Sequence, residues 1–534
     1  MPTVRRHKRS RTVRHKYDYD RMTKNLVIFI VWLAVLLIPI AYFGARYFNG
    51  LTLREALDMA QIAKQKAIGY GFVSGYATPA VVELTGKIIH SPEIVRPPLF
   101  IWILSFFPGV SEGSDVSVST CSSLFFVLTG ILIFQFARMV TDFSKAIIVS
   151  IIYLLSIPML GAAISGLPYT LTAFLFLILC ILIYIDSGKS FLLSFLIGMV
   201  AGGVYLSDYH FLPVIVPVAL CVLYERKNDR WRFLALFLIG FAAITLPWIL
   251  RNYGMGLNPF IGFPLKYRAI MGAPNMTPNV TFGTFGLAKL DELYSHAAVY
   301  RKVVANLLRI YNGFMLFGGI LMALAFIASI FIAYRGLAAV RMVVYSSIVL
   351  VSLAISADDG NIAGLTPLLP MIIFLAVTGL YRVIDKSDSI SDNVKLWVIR
   401  VFIVLNILPF VGAIARAPNP RRVRMRMEKS RLVMEELGSV VGGQEIVITD
   451  EPWRLSWYSA VPSVLLPEEK EDYQLLVDSA GDFKFAYLTS SIADKPMRLW
   501  SAMFLSRSVP SWFPLREGHV LSDKSLILSD RKRW

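Results

Sequence analysis

From residue 25 onward the chain alternates long apolar runs with short polar connections. A helix needs about 20 consecutive apolar residues to cross a bilayer. On that measure the pattern predicts spans near 25–47, 118–140, 146–164, 169–186, 190–206, 211–225, 232–250, 313–334, 341–357, 363–382 and 394–415, about eleven in all. Lys and Arg collect in cytoplasmic loops, so they should occupy alternate connections. Arg138 and Lys145, Lys189, then Arg226, Lys227, Arg230 and Arg232, then Arg335 and Arg341, then Arg382, Lys386 and Lys395 all fall on one predicted side. The opposite connections, Ser165 to Pro168, Ser207 to His210 and Asp358 to Asn361, carry none. An odd number of spans then puts the N-terminus in the cytoplasm and the C-terminus outside.

Three stretches break the rhythm. Segments 48–117 and 251–312 are outer loops far longer than ordinary connections, and long loops in compact proteins are usually functional. Residues 416–534 have the pattern of a soluble fold. Glu445 to Asp450 is a short β-type run, Trp453 to Leu466 mixes aromatic and aliphatic residues before a Pro-Glu-Glu-Lys loop, and Phe483 to Thr489 is a further strand candidate. The basic run Arg421 to Arg431 reads as a helix start facing solvent or lipid headgroups. The expected class is mainly α: a polytopic helical membrane protein with a small C-terminal α/β extracytoplasmic domain. Its parts are a basic cytoplasmic tail (1–24), a transmembrane module (25–415) and the C-terminal domain (416–534).

Composition excludes the alternative of several soluble domains. Hydrophobic residues make up 56% of the 534, charged residues 17% and mean hydropathy is +0.61, whereas soluble domains carry about 25% charged residues. The net charge of +17 is accounted for by membrane topology, so the expected partner is a lipid bilayer and not nucleic acid. Eight Lys or Arg among the first 21 residues precede an apolar stretch too long for a signal peptide, which predicts an uncleaved first span in a plasma (inner) membrane. Cys121, Cys180 and Cys221 form no CxxC pair and the histidines have no zinc-ligand spacing, so neither a disulfide framework nor a metal centre is expected.

Candidate chemistry lies in the outer loops. Ala56, Leu57, Ala60, Ala63 and Ala67 recur with a helical period, which predicts an amphipathic helix at the membrane interface. Glu55 and Asp58, spaced i, i+3, project from one face of it. Such a pair can accept a proton or bind a divalent ion; equally, it can solvate the polar face and match the helix dipole. Further on, Glu93-Ile-Val-Arg96-Pro97-Pro98-Leu-Phe-Ile-Trp102 opens an apolar run too short to span, which reads as an interfacial or re-entrant helix.

These residues carry a family resemblance. The acidic helix with its Gly69-Tyr-Gly71-Phe72, followed by Arg96-Pro97-Pro98-Leu-x-x-Trp102, resembles the GT-C superfamily of membrane glycosyltransferases. The nearest branch is similar to the bacterial relatives of protein O-mannosyltransferase and of the lipid A aminoarabinose transferase. Leu246-Pro247-Trp248-Ile-Leu-Arg251-Asn252-Tyr253, Leu365-Thr366-Pro367-Leu-Leu-Pro370 and Asp450-Glu-Pro452-Trp453-x-x-x-Trp457-Tyr458 resemble later family segments, so the likeness runs through nearly the whole chain. It implies inverting transfer of a sugar from a polyprenyl-phosphate donor to a lipid, glycan or protein acceptor on the extracytoplasmic face. Glu55 would be the general base, with Asp58 one turn on. Arg96, Arg251, Lys266 and Arg268, and beside them Arg301 and Lys302, would supply cations for the lipid phosphate. No cofactor is implied; a divalent ion bridging an acid and the phosphate is the one exception weighed.

The chain departs from the family pattern in four places. Glu55 stands where Asp is usual. Ser165-Gly-Leu-Pro-Tyr169 lacks a second loop acid, and Asn361-Ile-Ala-Gly-Leu365 lacks the usual Arg-Tyr. Leu206-Ser-Asp208-Tyr-His210 replaces a basic residue with an acidic one. Either Asp208, His210, Asp358 or Asp359 substitutes for the lost groups, or the protein binds lipid or glycan without catalysis. Transport is disfavoured, because the charges collect at the outer face and not at midplane.

Overall fold

The computed structural model describes residue 34 and residues 37–530, apart from 187–189, 226–228, 272–283, 316, 318, 333–335, 388–390, 442–444, 460, 496, 507 and 522–524. The basic tail, most of the first span, Lys189, Arg226, Lys227 and Arg335 lie outside the described residues. The first outer segment forms α1 (Arg54–Ala67), β1 (Val73–Ser74), β2 (Tyr76–Ala77), α2 (Pro79–Thr85), β3 (Ser91–Pro92) and α3 (Pro98–Leu104). There follow α4 (Asp115–Val140), α5 (Phe143–Leu154), α6 (Ile157–Ser165), α7 (Tyr169–Ile185), α8 (Phe191–Ser207), α9 (Ile215–Glu225) and α10 (Arg230–Gly254). The second outer segment holds α11 (Leu265–Ile270), α12 (Leu287–Leu293) and α13 (His296–Phe314). The bundle closes with α14 (Ile320–Ile330), α15 (Ala338–Ala357), α16 (Leu369–Lys386) and α17 (Asp392–Ala415).

Each expected span from 118–140 onward coincides with one of these helices or helix pairs. Among the described residues, five are long and apolar enough to cross a bilayer alone, and four shorter apolar helices accompany them. The remaining span is broken: α5 and α6 meet at 55°, where Ser156 takes the N-cap position of the new helix in an extended conformation and Pro158 cannot continue the old one. The bundle is packed around α16, in which every residue from Leu369 to Gly379 is buried, whereas α17 at the periphery buries only Phe402 and Asn406. Helices α8 and α10 touch backbone to backbone. A Cβ on Gly198 would sit 2.0 Å from the Phe237 carbonyl oxygen, and one on Gly240 would sit 2.1 Å from that of Phe195.

The C-terminal region contains α18 (Pro420–Val441), β4 (Val447–Thr449), α19 (Pro452–Tyr458), β5 (Ser463–Leu465), α20 (Lys470–Ala480), β6 (Phe485–Leu488), α21 (Arg498–Ser506), β7 (Glu517–Val520) and β8 (Leu526–Ser529). Two expected strands appear as β4 and β6, while the aromatic segment Trp453 to Leu466 divides into α19 and β5. The six-stranded sheet runs β2-β5-β4-β6-β8-β7, and its first edge comes from far away in sequence. Strand β2 of the first outer loop pairs in parallel with β5, Tyr76 opposite Ser463 and Ala77 opposite Val464. The domain boundary drawn at 416 therefore separates residues that share one sheet.

That strand brings α19 down onto α1. Lys64 Nζ donates to the Trp457 carbonyl at 2.8 Å, and Trp457 Nε1 and Tyr458 Oη each donate at 2.7 Å to Asp115, at the head of α4. At Gly75 the approach leaves no room for a side chain, since a Cβ there would meet Ser456 Oγ at 2.0 Å. The expectation of an interfacial amphipathic helix is thereby corrected. Every residue of α1 from Ala56 to Gln65 is buried, because the bundle covers its apolar side and the C-terminal domain its polar side.

Candidate functional site

A cavity of about 350 Å³ opens where α1, the turn after α8, the end of α11 and the turn after α15 converge. This is within the range of small-molecule sites. Glu55, Arg96, Asp208, His210, Arg268, Asp358 and Asp359, all expected from sequence, line it together. Arg54, Tyr169 and Tyr209 also line it and had no role assigned. Arg54 directly precedes the expected base, yet nothing in its spacing distinguishes it from an ordinary solvated arginine.

One wall is built from the first outer loop. Glu55, in the first turn of α1, makes no hydrogen bond or ion pair among the described residues. Asp58 does not line this cavity. It is 4% exposed and receives Arg96 Nε at 2.7 Å, Tyr76 Oη at 2.9 Å and Gln61 Nε2 at 3.3 Å. The expected pair therefore separates: one helical turn and the Arg96 tether carry Asp58 behind the wall. Glu93, also buried, accepts the backbone N–H groups of Val95 and Arg96 at 2.6 and 2.7 Å, which shapes the turn that presents Arg96. Burial pushes its carboxyl up to about 7, and the Asp58 carboxylate adds to the effect.

The opposite wall joins the ends of distant elements. Asp208 caps the turn before α9, accepting the backbone N–H of His210 at 3.0 Å and lying 2.8 Å from its Nδ1. His210 Nε2 is 3.2 Å from Asp358 Oδ2, to which Arg268 Nη2 donates at 2.6 Å. With a carboxylate on each ring nitrogen, the geometry favours the imidazolium, in which both nitrogens donate. Burial alone would raise Asp358, but Arg268 and His210 hold its carboxyl far below the usual range. Asp359 accepts only the Asn361 N–H in side-chain hydrogen bonding among the described residues; burial raises it, and the Asp358 and Glu55 carboxylates push the same way.

The other expected cations lie elsewhere. Arg251 stacks over Trp248 at 4.3 Å and donates to the Phe72 carbonyl at 3.2 Å, so the Gly-x-Gly-Phe and Pro-Trp-x-x-Arg-Asn segments meet behind the cavity. Trp248 Nε1 in turn donates to Tyr209 Oη at 2.7 Å. Lys266 points outward and pairs with Asp291, and exposed Arg301 donates back to Ala297 of its own helix. Lys302 is fully buried, and its Nζ donates to the carbonyls of Arg268 and Ala269 at 3.2 and 3.4 Å. It closes the C-terminal end of α11, where a cation complements the helix dipole. Burial lowers it to about 8. Among the described residues no group of three or more His, Cys, Asp or Glu is placed to hold a metal ion.

No protein-family model matches the chain, and no curated protein does. Solved structures do. ArnT from Cupriavidus metallidurans bound to undecaprenyl phosphate superposes with a TM-score of 0.56 at 14% identity, covering 96% of this chain and 99% of that one. The apo state of the same protein gives 0.53 at 13% identity, covering 96% and 98%. At such identity the likeness is one of fold, and this multi-pass membrane protein shares the fold of ArnT.

Proposed function

We propose that this chain is a glycosyltransferase that moves a hexosyl or pentosyl group from a polyprenyl-phosphate donor to a hydroxyl of a lipid, glycan or protein acceptor, with inversion. The reaction takes place on the extracytoplasmic side of the plasma (inner) membrane, with the N-terminus in the cytoplasm. The observation that carries this reading is a single cavity in which the unengaged carboxylate of Glu55 meets Arg96 and Arg268. Glu55 takes the proton of the acceptor hydroxyl as its oxygen bonds to the anomeric carbon. The bond from that carbon to the phosphate oxygen breaks, and its electron pair leaves on the polyprenyl phosphate. Arg96 and Arg268 bind that phosphate and stabilise its developing charge, guanidinium being suited to bidentate contact. Asp58 becomes a positioning residue for Arg96, and Asp358 with His210 and Asp208 becomes one for Arg268. The protein's own cations carry the phosphate charge in this reading, with no metal assigned. The undecaprenyl-phosphate complex of ArnT, whose fold the chain shares, supports a lipid phosphate as the donor class.

The test is transfer by detergent-purified protein from a panel of polyprenyl-phosphate sugars, with host membrane extract supplying acceptors. Transfer by wild type that is lost in Glu55→Gln is the expected result. A second reading, a lipid- or glycan-binding protein without catalysis, draws on the fact that Arg96, Arg268 and His210 each already face an aspartate. Wild type that binds undecaprenyl phosphate yet transfers no sugar from the panel would favour it.

A further inference from the structure

The cavity's first wall rests on one indole from the other end of the chain. Trp453, at the start of α19, is nearly buried, and the Arg54 guanidinium lies over its ring with Cζ 4.1 Å from the centroid. A guanidinium held this way over an indole face is attracted to the ring and fixed in direction. The same indole meets Tyr76 edge-on, with centroids 6.2 Å apart and planes at 72°. Tyr76 Oη donates to Asp58 Oδ1, and Asp58 Oδ2 holds Arg96. Thus Trp453 supports both arginines of this wall, Arg54 by direct stacking and Arg96 through Tyr76 and Asp58. The pairing of β2 with β5 sets the relation, since it places Tyr76 in the same sheet as the strands flanking α19.

We infer that Trp453 is a positioning residue for the phosphate-binding Arg96 and for its cavity neighbour Arg54, so that the C-terminal domain is part of the donor site and not only a platform for the acceptor. The inference rests on the reading of the cavity as a lipid-phosphate site. Without the indole, Arg54 loses its stacking surface and Tyr76 the edge that fixes its hydroxyl on Asp58. Phenylalanine at 453 keeps an aromatic face for both.

The experiment measures the Kd of undecaprenyl phosphate for the full-length protein in detergent, together with each variant's melting temperature. W453A should weaken binding about 10-fold, the equivalent of 1.4 kcal/mol, and W453F should restore it to within about threefold. Y76F, which removes only the hydroxyl that orients Asp58, should weaken binding severalfold while lowering the melting temperature less than W453A does. In the double variant R54A/W453A the combined loss should fall short of the product of the two, because both remove the Arg54–indole contact while only W453A disturbs Tyr76 and Arg96. Binding by W453A and Y76F equal to wild type, or losses that multiply in full in the double variant, would overturn the inference and leave the function reading standing. If W453A fails to fold, W453F and Y76F decide. Wild type that does not bind undecaprenyl phosphate would overturn the function reading and this inference with it.

Discussion

The two walls of the cavity are held by different devices. The Glu55–Arg96 wall is anchored from behind: α1 is buried between the bundle and α19, and Asp58, Glu93 and Tyr76 form a polar layer beneath Arg96. Among the described residues, the Asp208–Arg268 wall is not covered by the C-terminal strands and helices; Lys302 supports it at the end of α11. It consists of side chains at the ends of separate elements, in which Asp208 holds one ring nitrogen of His210 and the single carboxylate of Asp358 joins the other to Arg268. A wall set by a folded domain presents its base in one place. A wall tied through one carboxylate can exchange that carboxylate for a ligand phosphate, since both are anions that accept from Arg268 and His210. On the proposed function, proton transfer falls to the fixed wall and phosphate binding mainly to the exchangeable one.

Several changes would break or sharpen this contrast. The largest effect is expected from Glu55→Gln, which should lower transfer by a factor of about 10² to 10⁴ while undecaprenyl-phosphate binding stays within about threefold, because general-base catalysis contributes on that scale. Next, Asp358→Asn leaves Arg268 and His210 without their shared anion. Hydrogen bonds to charged groups are worth about 1.5–3 kcal/mol each, so this variant should melt lower, and undecaprenyl phosphate should recover more of its melting temperature than it adds to wild type.

The fixed wall has a pH signature. Glu93 is raised from the usual carboxylate range to about 7 in the fold, so folding favours its neutral form. The stability it contributes is fully present below the unfolded value, near 4.5, and is lost as pH rises through about 7. The groups facing it are Asp58, Tyr76, Arg96, Arg251 and Tyr209. Wild type should therefore lose roughly 1 to 3 kcal/mol between pH 5 and 8 that Glu93→Gln does not lose, read from unfolding at both pH values. Glutamine stays neutral and keeps an oxygen for the Val95 and Arg96 N–H groups.

A smaller effect is expected from Lys302→Met. It removes the ammonium that closes the end of α11 but touches no ligand, at a cost of about 1 kcal/mol. The donor KM should rise severalfold with kcat nearly unchanged. An equal fall in kcat with KM unaltered would place Lys302 among the reacting groups instead.

The spans were legible because a bilayer imposes length and apolarity on each helix separately, and alternation of Lys and Arg reports side. Strands β4 and β6 were legible from their own short apolar runs. Strand β2 was not: two residues, Tyr76 and Ala77, carry no period, and their partner lies nearly four hundred residues away. The same long-range contact hid the burial of α1, since Gln61, Lys64 and Gln65 look like a solvated face until α19 covers them. In the site, Asp208, His210, Asp358 and Asp359 stood out as charges at apolar helix ends, but that one histidine and Arg268 would share Asp358 follows only from tertiary packing. Lys266 and Arg268 are indistinguishable in sequence, two residues apart on one short helix, yet one pairs with Asp291 at the surface and the other enters the cavity.

That last pair gives the most direct test of the central claim, that the cavity is the lipid-phosphate site. The measurement is the Kd of undecaprenyl phosphate for wild type, Arg268→Gln and Lys266→Gln, in the same detergent and at the same ionic strength. The account predicts at least a 10-fold weakening for Arg268→Gln, as for loss of a charge-assisted contact, and for Lys266→Gln a value within about twofold of wild type, as for an exposed ion pair. Equal losses in both variants, or a larger loss in Lys266→Gln, would contradict it and place the phosphate outside the cavity.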